Sequence, residues 1–335
     1  MRLAESLRRG VMETGAGGII NRFKIKRRRF TLFFEDVLAN YIKECEEAGY
    51  GEEMREIGES WSLLTAKILF PASIKKLPIY VISRIANKVW TSVGIMERIE
   101  TKKSGDNIIL TTKRDTITRI IGKNSFATGC FTGILSIYTD SHVVPVRIFQ
   151  SIDSSEYVFR ITGKKIGIEG KDKDEYNRLN SIPRIEGTTL KDAIRKKIFH
   201  LKGNRIYFRG KSICNSENTL FHIIGNRNIM MEKVPEISYR YFSEIIDKKA
   251  DRESKLQLLK TLLQVMGWGL VKISVRDGNS ITIKISHLPC GLQRERENWD
   301  FLVKTILGFL WTIDREMKTR NAECGKKYIR VEYSF

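Results

Sequence analysis

At 335 residues the chain is longer than one hydrophobic core normally spans, which predicts two domains; 41% hydrophobic residues, 10% aromatics and six prolines exclude global disorder. The 59 Lys and Arg against 39 Asp and Glu give a net charge of +20, more than solubility requires, so a polyanionic partner is a serious candidate. A charge-laced surface of the thermophile type is the other reading, and the few glutamines (Gln150, Gln257, Gln264, Gln293) suit it. Five cysteines (Cys45, Cys130, Cys214, Cys290, Cys324) form no CxxC pair, and no apolar run reaches the length of a membrane span or a signal-peptide core. A reducing, cytoplasmic address and no transmembrane segment are expected.

In chain order, residues 1 to 30 read as a basic arm, with Arg22, Lys24, Lys26, Arg27, Arg28 and Arg29 packed around Phe23 and Phe30. The acidic stretch from Phe33 to Trp61 spaces Val37, Leu38, Tyr41 and Ile42 as two helices broken near Gly49 and Gly51. GDNIILTT alternates as a half-buried strand, NSFATGCFTGILSIYTD as a helix, and HVVPVRIFQS and EYVFRIT as two further strands. The polar, turn-rich stretch Thr162 to Gly187 marks a domain boundary. Beyond it come a basic helix LKDAIRKKIFHLKG, a short hairpin from NRIYF and GKSI, a helical region YFSEIIDKKADRESKLQLLKTLLQVMGWG, and a hairpin around Asp277-Gly278. A helix WDFLVKTILGFLWTIDREM and a strand KKYIRVEYSF close the chain.

The halves repeat each other's order of elements. A shift of 175 positions lays residues 94 to 149 on 269 to 324 without a gap, placing Ile108 on Ile283, Leu110 on Ile285, Phe126 on Phe301 and Gly133 on Gly308. Gly129 and Gly133, with Gly308, suggest close helix packing in both halves. The expected fold class is α+β: two tandem related domains, each an antiparallel sheet packed against a helical bundle. The expected boundaries are a basic arm at 1–30, a first domain at 31–162, a linker at 163–187 and a second domain at 188–335.

GWG ahead of a hairpin, the helix FLVKTILGFLWTI and the ending ECGKKYIRVEY together resemble the 4-vinyl reductase domain, grouped with TRAPP small subunits and haem-based nitric-oxide sensors in one ligand-binding superfamily. EEMREIGESW with the Phe126 to Ile161 stretch resembles a more divergent copy. The resemblance implies the fold and a pocket for a small apolar ligand. Some members carry a zinc group of Glu and several Cys; here Cys324 stands in the right place, the later Cys is replaced near Ile329, and Phe149 aligns with Cys324 in the first half. One thiolate does not close a zinc site, which takes about four ligands, so no metal is expected.

No catalytic constellation emerges, and the chain is expected to be a non-enzymatic interaction or sensor protein without a cofactor. A haem would need an apolar-facing histidine on a helix; of His142, His200, His222 and His287, His222 in TLFHIIG comes nearest, and it reads as a packed histidine. His287 and Cys290 in SHLPCG read as a turn rather than a thiol-imidazole pair, and TGAGGII as a turn rather than a phosphate cradle. Glu52 with Glu53, and Glu295 with Glu297, read as solvated faces. Two basic clusters remain: Arg22 to Arg29, and Arg195, Lys196, Lys197, Lys202, Arg205, Arg209 and Lys211 around Phe199, Tyr207 and Phe208. Cations interleaved with aromatics suit phosphate contact and base stacking, so nucleic acid is the expected partner, with an acidic protein partner as the other. The competing reading buries the aromatics and pairs the cations with the acidic run Glu35 to Glu59.

Overall fold

The structure, a computed structural model, describes residues 3–8, 12–13, 15, 19–21, 29–69, 77–166, 185, 187–276, 280–289, 297–325 and 328–335. In chain order the elements are α1 Leu3–Arg8, β1 Met12–Glu13, β2 Ile19–Asn21, β3 Arg29–Phe34, α2 Glu35–Glu47, α3 Gly51–Leu69, α4 Ile79–Ser92, β4 Arg98–Ser104, β5 Asn107–Lys113, α5 Thr118–Ile121, α6 Ser125–Thr139, β6 Ser141–Gln150 and β7 Ser154–Lys165. There follow α7 Leu190–Arg195, β8 Phe199–Lys202, β9 Arg205–Phe208, β10 Lys211–Ser216, α8 Thr219–Arg227, α9 Val234–Ile245, α10 Arg252–Val265, β11 Leu270–Arg276, β12 Ser280–Ser286, α11 Asp300–Leu310, β13 Lys318–Gly325 and β14 Tyr328–Ser334. Among the described residues no helix is long and apolar enough to cross a membrane. The chain falls into two compact units, residues 1–3, 38–178 and 202–205 in the first and 4–37, 179–201 and 206–335 in the second.

In the first unit an antiparallel sheet of order β4-β5-β7-β6 carries Ile108 and Leu110 on its buried face opposite Phe159 and Tyr157. Ala127, Phe131, Leu135 and Tyr138 of α6 pack into the same core, with Ile82 and Ala86 of α4. Helix α6 is capped by the Asn124 side chain, which accepts from the Ala127 N–H at 2.8 Å. It is apolar nearly all round because α3 covers its other side. Here glycine is required by close approach: a Cβ on Gly129 would lie 1.9 Å from the Arg55 carbonyl oxygen, and one on Gly133 2.6 Å from that of Glu59.

The second unit holds two sheets, β1-β2-β3-β10-β9-β8 and β11-β12-β14-β13. Phe33, Phe221, Trp268 and Phe301 form its aromatic centre, with Phe33 and Phe221 rings 4.4 Å apart, and the Trp268 indole donates to the Leu32 carbonyl at 2.9 Å. Strand β3 departs from the expected boundaries, which place Arg29 and Phe30 in an arm and residues 31–37 in the first domain. It pairs with β10 in register, Phe34 opposite Ile213 and Phe33 opposite Cys214, which joins it to the second unit. Most of the expected 163–187 linker and the Asp277-Gly278 turn lie outside the described residues.

Each four-stranded sheet is built the same way: a hairpin, a buried helix, then a second hairpin whose last strand inserts beside the first hairpin. Helices α6 and α11 begin at Ser125 and Asp300, at the expected offset of 175. Strands β5 and β12 begin at Asn107 and Ser280, two residues off the gapless superposition. An even displacement leaves apolar residues on the same sheet face, and Ile108, Leu110, Ile283 and Ile285 are all buried.

Candidate polyanion-binding surface

From Ala193 to Ser216 the chain contains seven cations and no acidic residue. Its sequence predicts a long basic helix followed by a hairpin; the structure makes it one turn and a half of helix and three strands. Helix α7 opens with a capping box in which the Thr189 hydroxyl accepts from the Asp192 N–H at 3.1 Å, a bond network that holds the Asp192 carboxyl below its usual range. It closes at Lys197, in the left-handed region at φ 58°, with the Ile198 N–H bonded to the Ala193 carbonyl and the Lys197 N–H to that of Ile194. This double bond pattern is a Schellman ending, usually built on glycine.

The chain leaves that ending directly into β8 and β9, where side chains alternate. Phe199 and Phe208 are buried, 5.5 Å apart between ring centroids. His200 is exposed and Tyr207 half-buried; their rings lie parallel within 10° at 6.0 Å. The sequence pattern places His200 on a helix; the structure puts it on a strand, beside Tyr207. The two phenylalanines of the cluster are core, which leaves this pair on the other side of the hairpin. The signal for it was the period of two in FHLK and RIYF.

The cations divide by environment. Arg205 donates to Glu97 and to the Arg114 carbonyl, each at 3.2 Å. Arg209, at φ 48° in the turn to β10, donates to the Ile245 carbonyl at the end of α9 at 2.6 Å and lies over the Phe208 ring. The Lys211 ammonium sits 2.9 Å from Glu244 and 3.6 Å from Asp36, and the bond to Glu244 raises its pKa. Burial raises the pKa of Asp36 more than Lys211 lowers it. Each of these three is engaged by a carbonyl or a carboxylate, and Lys211 does meet the acidic run. Arg195, Lys196, Lys197 and Lys202 are exposed, Arg195 with a surface pair to Asp192 at 3.3 Å. Of the first cluster, Arg22, Lys24, Lys26, Arg27 and Arg28 lie outside the described residues, and Arg29 opens β3.

The other candidates resolve into scaffold or fall outside the described residues. His222 is fully buried; its Nδ1–H donates to the Asn298 carbonyl at 2.8 Å, its Nε2 accepts from the Asn218 amide at 3.2 Å, and burial lowers its pKa to about 4. Trp299 stands edge-on to it at 4.4 Å. Cys290 and Glu295 lie outside the described residues, and His287 has a φ of 57° just after β12. Glu52 forms an exposed ion pair with Arg55. A strand, β1, does precede TGAGGII, but β2 and not a helix follows it. Cys324 and Ile329 are direct cross-strand partners, and Phe149, likewise second from the end of its strand, faces Glu156. Among the described residues no three His, Cys, Asp or Glu side chains come together as a metal site. No protein-family model and no curated protein matches the chain.

Proposed function

We propose that this chain is a non-enzymatic nucleic-acid-binding protein. Its contact surface is the acid-free segment from Ala193 through β8, with the basic arm as a second contact. The observation that carries the reading is the division of the cations: three are tied to carbonyls and carboxylates, while Arg195, Lys196, Lys197 and Lys202 face solvent within one turn and one strand. Such a local field captures phosphates and releases their counterions. We further read each unit as 4-vinyl-reductase-like, a reading supported by the shared order of hairpin, helix and strand pair.

The number of exposed cations sets the expected salt dependence. Four phosphate contacts give a slope of about −3 in log affinity against log salt on a single strand, a fall of roughly 50-fold between ~50 and ~200 mM salt. Participation of Arg22, Lys24, Lys26, Arg27, Arg28 and Arg29 would raise the fall to ~10³ or more. Fluorescence anisotropy with a labelled oligonucleotide measures this slope. Replacing Arg195, Lys196 and Lys197 with Ala should flatten it by about 2, and replacing Arg27, Arg28 and Arg29 should flatten it independently. Absence of binding at ~50 mM salt, or slopes unchanged in both variants, overturns the reading.

A further inference from the structure

Resting on that reading, we infer that the nucleic acid is single-stranded and that one of its bases stacks on the His200–Tyr207 ring pair of the β8–β9 hairpin. The inference starts from alternation. Phe199 and Phe208 already fill the inner side of the hairpin with fully buried rings, so the core does not call for a second aromatic pair. On the outer side stand an exposed imidazole and a half-buried phenol, nearly parallel and 6.0 Å apart. Lys202 follows His200 by two positions and therefore shares its side of β8. Lys196 and Lys197 precede the strand at the helix end.

A flat ring surface bordered by solvated cations fits a particular ligand chemistry. Each nucleotide offers one phosphate and one flat aromatic base, whose faces are accessible only when the base is not stacked within a duplex. A duplex would use the cations and leave the rings idle. The competing account is that the pair merely staples the hairpin across strands. That account places its whole effect on stability and none on strand preference.

The full chain should be titrated at fixed salt with an oligothymidylate, a duplex of equal length and inorganic polyphosphate. The expected result is tightest binding to the single strand. Tyr207→Leu and His200→Ala should each weaken that binding about tenfold, leave duplex and polyphosphate binding unchanged, and keep the salt slope. Tyr207→Phe, which keeps the ring, should restore binding. His200 is exposed, so its variant reports on stacking even should Tyr207→Leu unfold the hairpin. Equal affinity for all three probes, with no effect of His200→Ala, overturns the stacking inference while leaving the polyanion reading intact. No binding to any of the three overturns both.

Discussion

Adding one methyl group at the helix crossings tests the packing logic of both units. A Cβ on Gly308 would stand 2.4 Å from the Pro235 carbonyl oxygen and 2.5 Å from the Ser238 Cβ, and one on Gly129 would stand 1.9 Å from the Arg55 carbonyl oxygen. Ordinary contact begins at 3.4 Å, so α11 must move away from α9 by roughly 1 Å, and α6 from α3 by more. Because the nearest atoms belong to backbone, no side-chain rotation relieves the clash. Overpacking of this kind costs about 1–3 kcal/mol or more, against which Gly→Ala gains up to ~1 kcal/mol in helix propensity. Gly308→Ala should therefore destabilise by about 1–2 kcal/mol net, and Gly129→Ala by more, read as a lower urea midpoint in far-UV circular dichroism. Gly51→Ala is the control: its Cβ would meet only the Ser125 hydroxyl, at 3.4 Å, and the change should stay within ~0.5 kcal/mol. Trimming Ser238 to Gly should not rescue Gly308→Ala, since the Pro235 carbonyl stays in place. Stability equal to or above the parent in both Gly→Ala variants would refute the close-crossing argument.

His222 makes stability depend on pH. Its pKa is about 4 when folded and 6.5 when unfolded, so the unfolded chain takes up a proton that the folded chain refuses. Its contribution is complete above pH 6.5 and is lost as pH falls toward 4, amounting to about 2 kcal/mol between pH 7 and pH 5. Urea midpoints at those two pH values should show this loss, and His222→Leu should remove most of it; identical pH profiles would sink the assignment. Lys197→Gly should stabilise by up to ~1 kcal/mol, because glycine meets no steric cost at φ 58°, while weakening oligonucleotide binding at low salt. A gain in melting temperature without a loss of binding would show that Lys197 plays no part in the surface. Elemental analysis of purified protein should find no stoichiometric zinc or iron, because Cys324 faces Ile329 across the strands; about one metal per chain, lost in Cys324→Ser, would overturn this.

The elements that were legible in the sequence are those with a clear period. The alternation of β5 and β12 and the helices around Gly133 and Gly308 could be placed from the residues alone. Strand β3 could not: Thr31, Leu32, Phe33 and Phe34 are all buried, so the run shows no alternation and sits against the charges of the preceding segment. The basic segment misled in the opposite direction. Ile194, Ile198 and Leu201 recur at helical spacing, yet the helix stops at Arg195, and Phe199 and Leu201 are an alternating strand pair. Placing His200 on a helix hid its stacking with Tyr207, and the structural duties of Arg205, Arg209 and Lys211 depend on residues far away in sequence, Glu97, Ile245 and Glu244.

The glycine crossings also tie the two units together more closely than residue identity does. The carbonyl and Cβ nearest Gly133 belong to Glu59 and Ser62, and those nearest Gly308 to Pro235 and Ser238, the same spacing on the helix that packs beneath. The repeat that runs from β4 to β7 and from β11 to β14 therefore extends to α3 and α9. Against that shared scaffold, the first unit shows a single four-stranded sheet among its described residues, whereas the second adds the sheet containing β8, β9 and β10. Lys202 and the His200–Tyr207 pair lie on this added sheet, and Arg195, Lys196 and Lys197 on the helix end that leads into it, not on the repeated part. Because function resides in sites borne by a fold rather than in the fold itself, the unmatched strands are where these units should differ in what they bind. Their inner phenylalanines anchor the strands, which leaves the outer side chains open to be selected for a ligand.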